Sequence, residues 1–165
     1  MKKNGIIAAI VVVNFIFQTS LYNFFGLFGT IPNISLILVV VFAMMSNGIV
    51  GGVIGIVTGI LYDSMMYNVF GIYTLMYFLI GAVVGTYSKN MLRENYLAYC
   101  LVTAISTIVM HISLYLILFF LRYRVVNVSN IIGSIFLEII YNTILVVFVL
   151  RFIDFIFDKL NIKQN

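Results

Sequence analysis

Four side chains in this sequence could support proton transfer, metal binding or nucleophilic attack from within an apolar setting: Asp63, Cys100, His111 and Glu138. His111 and Cys100 are the sole members of their types, so neither a His/Cys metal cluster nor a nucleophile with its base can be assembled from them. The chain has no G-x-S-x-G elbow, no H-E-x-x-H helix and no glycine loop followed by lysine, the spacings that serine hydrolases, zinc peptidases and phosphate-handling proteins require. A non-enzymatic protein is expected, with no catalytic residue, no metal and no cofactor. Cys100 sits in an apolar run and reads as a small packing residue.

His111 and Glu138 are a different matter. If the helix that carries His111 ends at Leu121 and the next begins near Val128, each is ten residues from the outer end of its helix. Both then lie at about 15 Å depth at 1.5 Å rise per residue. The expectation is a buried hydrogen-bonded or ionic pair inside the bundle, across one hairpin. A proton relay or a substrate contact is the alternative, because ionisable groups at such depth are functional candidates by default. A single pair with no connecting chain of carboxylates makes a poor conduit, which favours the paired structural role. Asp63 ends an apolar segment eight residues before Gly71 and could cap the helix that follows or mark the water boundary.

These positions need elements to hold them, and composition says what kind. Of the 165 residues 64% are hydrophobic and 8% charged, with a mean hydropathy of +1.19. A soluble domain carries about 25% charged residues to hydrate its surface, so this is an integral membrane protein. Secreted disulfide scaffolds, disordered tails and nucleic-acid-binding domains are excluded, the last because the net charge of +4 comes from basic residues between the spans. Charge-free stretches cover residues 4–62, 64–88 and 95–121, each long enough for a span of about 20 residues.

The sequence predicts an all-α fold, a single transmembrane domain over residues 1–165 with spans at about 5–25, 32–46, 49–63, 71–87, 96–121 and 131–153. The first is read as an uncleaved helix, since its apolar part is too long for a signal peptide and no small-residue cleavage pattern follows. Pro32 opens the second span, Asn47-Gly48 breaks it from the third, 64–70 lies at the interface, and a short charged tail closes the chain. Six spans with the N-terminus inside put Lys2, Lys3, Lys89, Arg93, Arg151, Lys159 and Lys163 on the cytoplasmic side and only Arg122 and Arg124 outside. If residues 32–63 were one span, the split would be four inside against five outside. The excess of Lys and Arg in cytoplasmic loops therefore selects six spans with both termini cytoplasmic.

Polar and small residues recur at helical spacing. Asn14, Gln18 and Tyr22 line the first helix, and Gly51, Gly55, Gly59 and Asp63 the third, with Gly48 and Gly52 beside them. Tyr73, Tyr77, Gly81 and Gly85 line the fourth, Thr103, Thr107 and His111 the fifth with Ser106 nearby, and Ser134, Glu138, Tyr141 and Asn142 the sixth. Residues three or four apart share a face, so these stripes predict a compact bundle. Glycine at every fourth position lets two helices approach closely. That face either packs within the bundle or receives a partner's helix.

The order Ile31-Pro32-Asn33, the glycine-rich run 48–59, Gly59-Ile60-Leu61-Tyr62-Asp63, Gly71, Tyr73, Tyr77 and Gly81 resembles the bacterial rod-shape-determining MreD family. Pro32, Gly55, Gly59, Asp63 and Gly71 match the family's motif positions. Met66 and Tyr67 depart from it, since small residues usually follow the Asp. The resemblance implies a non-catalytic scaffold of the cell-elongation machinery in the bacterial cytoplasmic membrane. Its implied partners are MreC, a single-span protein, the MreB filaments, and RodA with its penicillin-binding transpeptidase, which build side-wall peptidoglycan. It also implies a fold similar to the S components of energy-coupling-factor vitamin transporters, a glycine face that docks a helix, and Asp63 at the outer edge where a partner's periplasmic segment could meet it.

An S component is the alternative reading, with a small ligand held by His111, Glu138, Asn14 and Tyr141. Such proteins usually dock through A-x-x-x-A on the first helix, of which Gly5 and Ala9 give a partial version, and there is no tryptophan to stack a ligand. A small channel or proton-coupled carrier is a third reading and needs a continuous polar path.

Overall fold

The computed structural model describes the backbone of residues 2–25, 30–65, 69–88, 95–122 and 128–160, and side chains there except at 2–4, 21–25 and 128–132. The side chains of Lys2, Lys3 and Tyr22, and the whole of Met66, Tyr67, Lys89, Arg93, Arg124 and Lys163, lie outside the described residues.

Six helices follow one another: α1 (Lys2–Phe25), α2 (Ile34–Met45), α3 (Gly48–Asp63), α4 (Ile72–Tyr87), α5 (Tyr96–Phe120) and α6 (Val128–Lys159). Three starts use asparagine. Asn33, Asn47 and Asn95 accept from the backbone N–H groups of Leu36, Val50 and Leu97 through their side chains, satisfying donors that the first turn of a helix leaves unpaired. The Asn33 cap shifts the start of α2 to Ile34. Pro32, expected to open that helix, precedes the cap instead.

The other departure is α6. It begins at Val128 and runs through Arg151, Asp154 and Asp158 to Lys159, so the segment read as a charged tail after residue 153 is helix. Nothing in Phe152–Asp158 breaks a helix, and the Arg151 guanidinium lies 6.0 Å from the ring centroid of Tyr96, holding this end against the start of α5.

α2 is the axis of the bundle. Every residue from Ser35 to Met45 is buried, and α2 packs against α1, α3, α4, α5 and α6. Its sequence, ISLILVVVFAMM, is apolar around the whole circumference, as a helix enclosed on all sides must be. The tightest pair is α3 with α4, where glycines meet backbone to backbone.

The distribution of polarity is that of a membrane protein. Ile49, Phe70, Leu97 and Phe120 are exposed, whereas Asn14, Gln18, Asn33, Thr58, Thr103, Thr107 and Asn142 are buried, the reverse of the arrangement in water. Among the described residues two helical segments, Tyr96–Phe120 and Gly133–Lys159, are long and apolar enough to cross a bilayer. Ile34–Met45, Gly48–Asp63 and Ile72–Tyr87 are apolar but shorter, so six full-length spans, as expected above, are not what helix length gives. At 12 residues, α2 is about 18 Å long against a hydrocarbon core of about 30 Å.

Candidate functional site

The residues of interest form a clasp between α3 and α4, a node at the start of α2, and a pair on the α5–α6 hairpin.

The clasp explains the Asp63 to Gly71 spacing. Gly71 is the N-cap of α4 in the left-handed conformation at φ 101°, which glycine adopts without penalty. Having no side chain, it leaves the first N–H groups of α4 without a cap. Asp63, at the end of α3, supplies it: Oδ1 accepts from Tyr73 N at 3.1 Å, and Oδ2 from Thr74 N at 2.9 Å and Thr74 Oγ1 at 2.6 Å. A carboxylate at a helix N-terminus also meets the positive end of the helix dipole. Tyr62, Tyr73 and Tyr77 pack beside it with ring centroids 4.6–6.1 Å apart.

Asp63 is only 1% exposed. The expectation that it sits at an outer edge open to a partner is therefore corrected, because all of its contacts described above turn inward onto α4. Of the two roles open to the glycine face, it takes packing within the bundle. A Cβ on Gly51 or Gly55 would fall on the carbonyl of Gly81 or Tyr77, and one on Gly59 would fall on the backbone of Thr74. A Cβ on Gly85 would lie 2.6 Å from the carbonyl oxygen of Asn47. The helix docked on this face is α4, so Gly55 and Gly59 pack the interior of the bundle and do not present a surface to another protein.

At the node, Asn33 joins four helices. Its backbone N–H donates to Asn142 Oδ1 of α6 at 2.9 Å, and its Oδ1 accepts from Leu36 N of α2 at 3.0 Å and the Tyr77 hydroxyl of α4 at 2.7 Å. Its amide points to Met110 Sδ of α5 at 3.6 Å. Asn142 continues the network by donating to Thr107 Oγ1 at 3.1 Å, and Thr107 donates to Thr103 O at 2.9 Å. The first helix joins from the other side. Gln18 donates to Pro32 O and accepts from Ile34 N, both at 3.1 Å, and Asn14 donates to Ser35 Oγ at 3.0 Å. Pro32 thus takes part through its carbonyl.

Asn33 was not among the residues singled out from the sequence, although its motif was. The signal was there: an asparagine directly before an apolar run, after proline, marks an N-cap. A cap inside a membrane bundle has no water to share its remaining valences, so protein groups must take them.

The expected pair forms, but at the edge of the bundle and not buried inside it, with the His111 and Glu138 side chains 19% and 12% exposed. His111 Nε2 lies 2.8 Å from Glu138 Oε2, nine residues from the end of α5 and ten from the start of α6. Asn14 is engaged elsewhere with Ser35, and Tyr141 is 41% exposed on the outside. These four do not combine into the interior ligand site of the S-component reading. Cys100 Sγ contacts Thr143 O at 3.6 Å, a packing contact between α5 and α6. Among the described residues no three His, Cys, Asp or Glu side chains gather in a way that could hold a metal ion. The arrangement is a set of ties between helices.

No curated protein and no solved structure matches the chain. A family model does, that of the rod shape-determining protein MreD, and it covers residues 3–156, which includes the Asn33 node, the Asp63–Gly71 clasp and the His111–Glu138 pair. By that match the chain belongs to the MreD family, membrane proteins that determine rod shape.

Proposed function

We propose that this protein is a non-enzymatic scaffold of the cell-elongation machinery in the bacterial cytoplasmic membrane, crossing it six times with both termini inside. It links an MreC-like single-span protein and MreB filaments to RodA and its penicillin-binding transpeptidase partner, which build side-wall peptidoglycan. The observation that carries this reading is the family match over nearly the whole chain. The interior supports it. Polar side chains of α1, α2, α4, α5 and α6 bond to one another around Asn33, and the glycine face is closed by α4. Such a bundle is held rigid by its own polar groups and offers partners its outer surfaces.

Purification from membranes of its rod-shaped host tests the proposal. Recovery of a single-span coiled-coil protein together with cell-wall synthases is expected, and depletion should round the cells. A tightly bound vitamin, or two ATPase subunits travelling with the protein, would overturn it.

A further inference from the structure

We infer that the outer face of the α5–α6 hairpin is a self-association surface, where a second copy of this chain sets the same His111–Glu138 pair against this one inside the hydrocarbon core. The inference goes beyond the proposed function and does not depend on it, because among the described residues α5 and α6 hold the two helical segments long and apolar enough to cross a bilayer.

Two rungs fix the register of this antiparallel hairpin. Asn142 bonds to Thr107, and Glu138 to His111, so four residues up α5 match four residues back along α6. The first rung is closed, with both residues fully buried. The second opens at the helix surface, where the side chains of His111 and Glu138 are 19% and 12% exposed. Tyr115, one turn from His111, and Tyr141, three residues from Glu138, are 42% and 41% exposed. Together they form a polar strip of about 10 Å along the hairpin at 1.5 Å per residue. Exposed Ile108, Ile112 and Leu137 flank it.

Lipid chains offer no hydrogen bonds, so ionisable and hydroxyl groups facing them are costly and turn toward polar partners. The geometry specifies the partner. Copies of a membrane protein insert in one orientation, so a two-fold axis relating two of them runs along the membrane normal and preserves depth. An isologous interface then requires each surface to complement itself at equal depth. His111 and Glu138 meet that requirement. They sit nine and ten residues from their helix ends, about 14 and 15 Å deep, with a basic and an acidic group side by side. A second copy brings imidazole to carboxylate and carboxylate to imidazole, with tyrosine hydroxyls as further donors at either end of the strip. The isoleucines and the leucine supply the apolar contact around it.

The test uses full-length protein in liposomes, on a Cys100→Ser background. Leu137→Cys, beside the strip and leaving every polar group in place, should give an oxidative homodimer. Val83→Cys, exposed on α4, should give none. Energy transfer between differently labelled copies should persist on dilution with lipid and weaken at least tenfold in the His111→Leu, Glu138→Leu double variant. The inference is overturned if Leu137→Cys chains stay monomeric, if Val83→Cys links as well, or if Leu137→Cys in native membranes links only to a different protein. Because the cysteine comparison leaves the pair intact, it decides the matter even where the double variant does not fold.

Discussion

The hydrogen bond between Asn33 and Tyr77 is worth different amounts depending on which side chain is removed. Tyr77→Phe deletes the hydroxyl but leaves Asn33 Oδ1 with the Leu36 N–H, so only one bond is lost, about 1 kcal/mol. Asn33→Ala removes the α2 cap, about 1 kcal/mol, and strands the hydroxyl of a fully buried tyrosine, which adds about 1–3 kcal/mol. The single variants should therefore rank clearly in thermal unfolding of the detergent-solubilised protein. The double variant should cost less than their sum, because the Tyr77→Phe change leaves no hydroxyl to strand. Strict additivity would show that the node is not a coupled unit. The sequence exposed half of this site. Asn14, Gln18, Thr107 and Asn142 were legible as stripes because each recurs at helical spacing with another polar residue. Asn33 stands alone before its helix, in no stripe, and its reach across four helices depends on packing that spacing does not encode.

Among elements, α3 and α4 show how small residues set the distance between helices. A Cβ at Gly55 would collide with the Tyr77 carbonyl, and backbone cannot swing aside as a side chain can. Gly55→Ala should force the pair apart and destabilise the protein by about 1–3 kcal/mol. Gly133, on α6, has nothing within 4 Å of the position a Cβ would take, so Gly133→Ala should be neutral or stabilising by up to about 1 kcal/mol through helix propensity. Paired melting curves check the contrast, and equal effects at both sites would remove close approach as the role of Gly55. The helix bounds were readable because glycine, proline and asparagine punctuate an otherwise apolar chain. Which apolar helix lies at the centre was not. The 12 residues of α2 are apolar around the whole circumference, but a span facing lipid on all sides would be so too, and only the surrounding helices reveal that they are core. The charges of α6 misled in the opposite direction, since charge marks where a helix leaves the hydrocarbon and not where it ends.

For the whole molecule, the short central helix raises the question of how α2 and α3 stand in the bilayer. At about 18 Å, the 12 residues of α2 do not reach from one interface to the other. A helix enclosed by five others has no need to, because its ends are met by protein: Gln18 and Asn142 bond to its first turn, and Ser88 donates to Ala43 O near its last. The Asn47-Gly48 turn meets Gly85 of α4 on one side and leaves Asn47 exposed on the other, as a turn that faces the cytoplasm in the six-span topology would. In the six-span topology, membrane-impermeant thiol reagents applied outside should label Arg124→Cys, on a Cys100→Ser background. Ser46→Cys and Lys163→Cys should react only after permeabilisation. If residues 32–63 instead crossed once, Lys163→Cys would be labelled from outside and Ser46→Cys from neither side. The distribution of lysine and arginine, seven against two for six spans, favours the first pattern, and the exposed Asn47, whose side chain caps α3, gives the second and third helices a polar point of reversal without charged residues of their own.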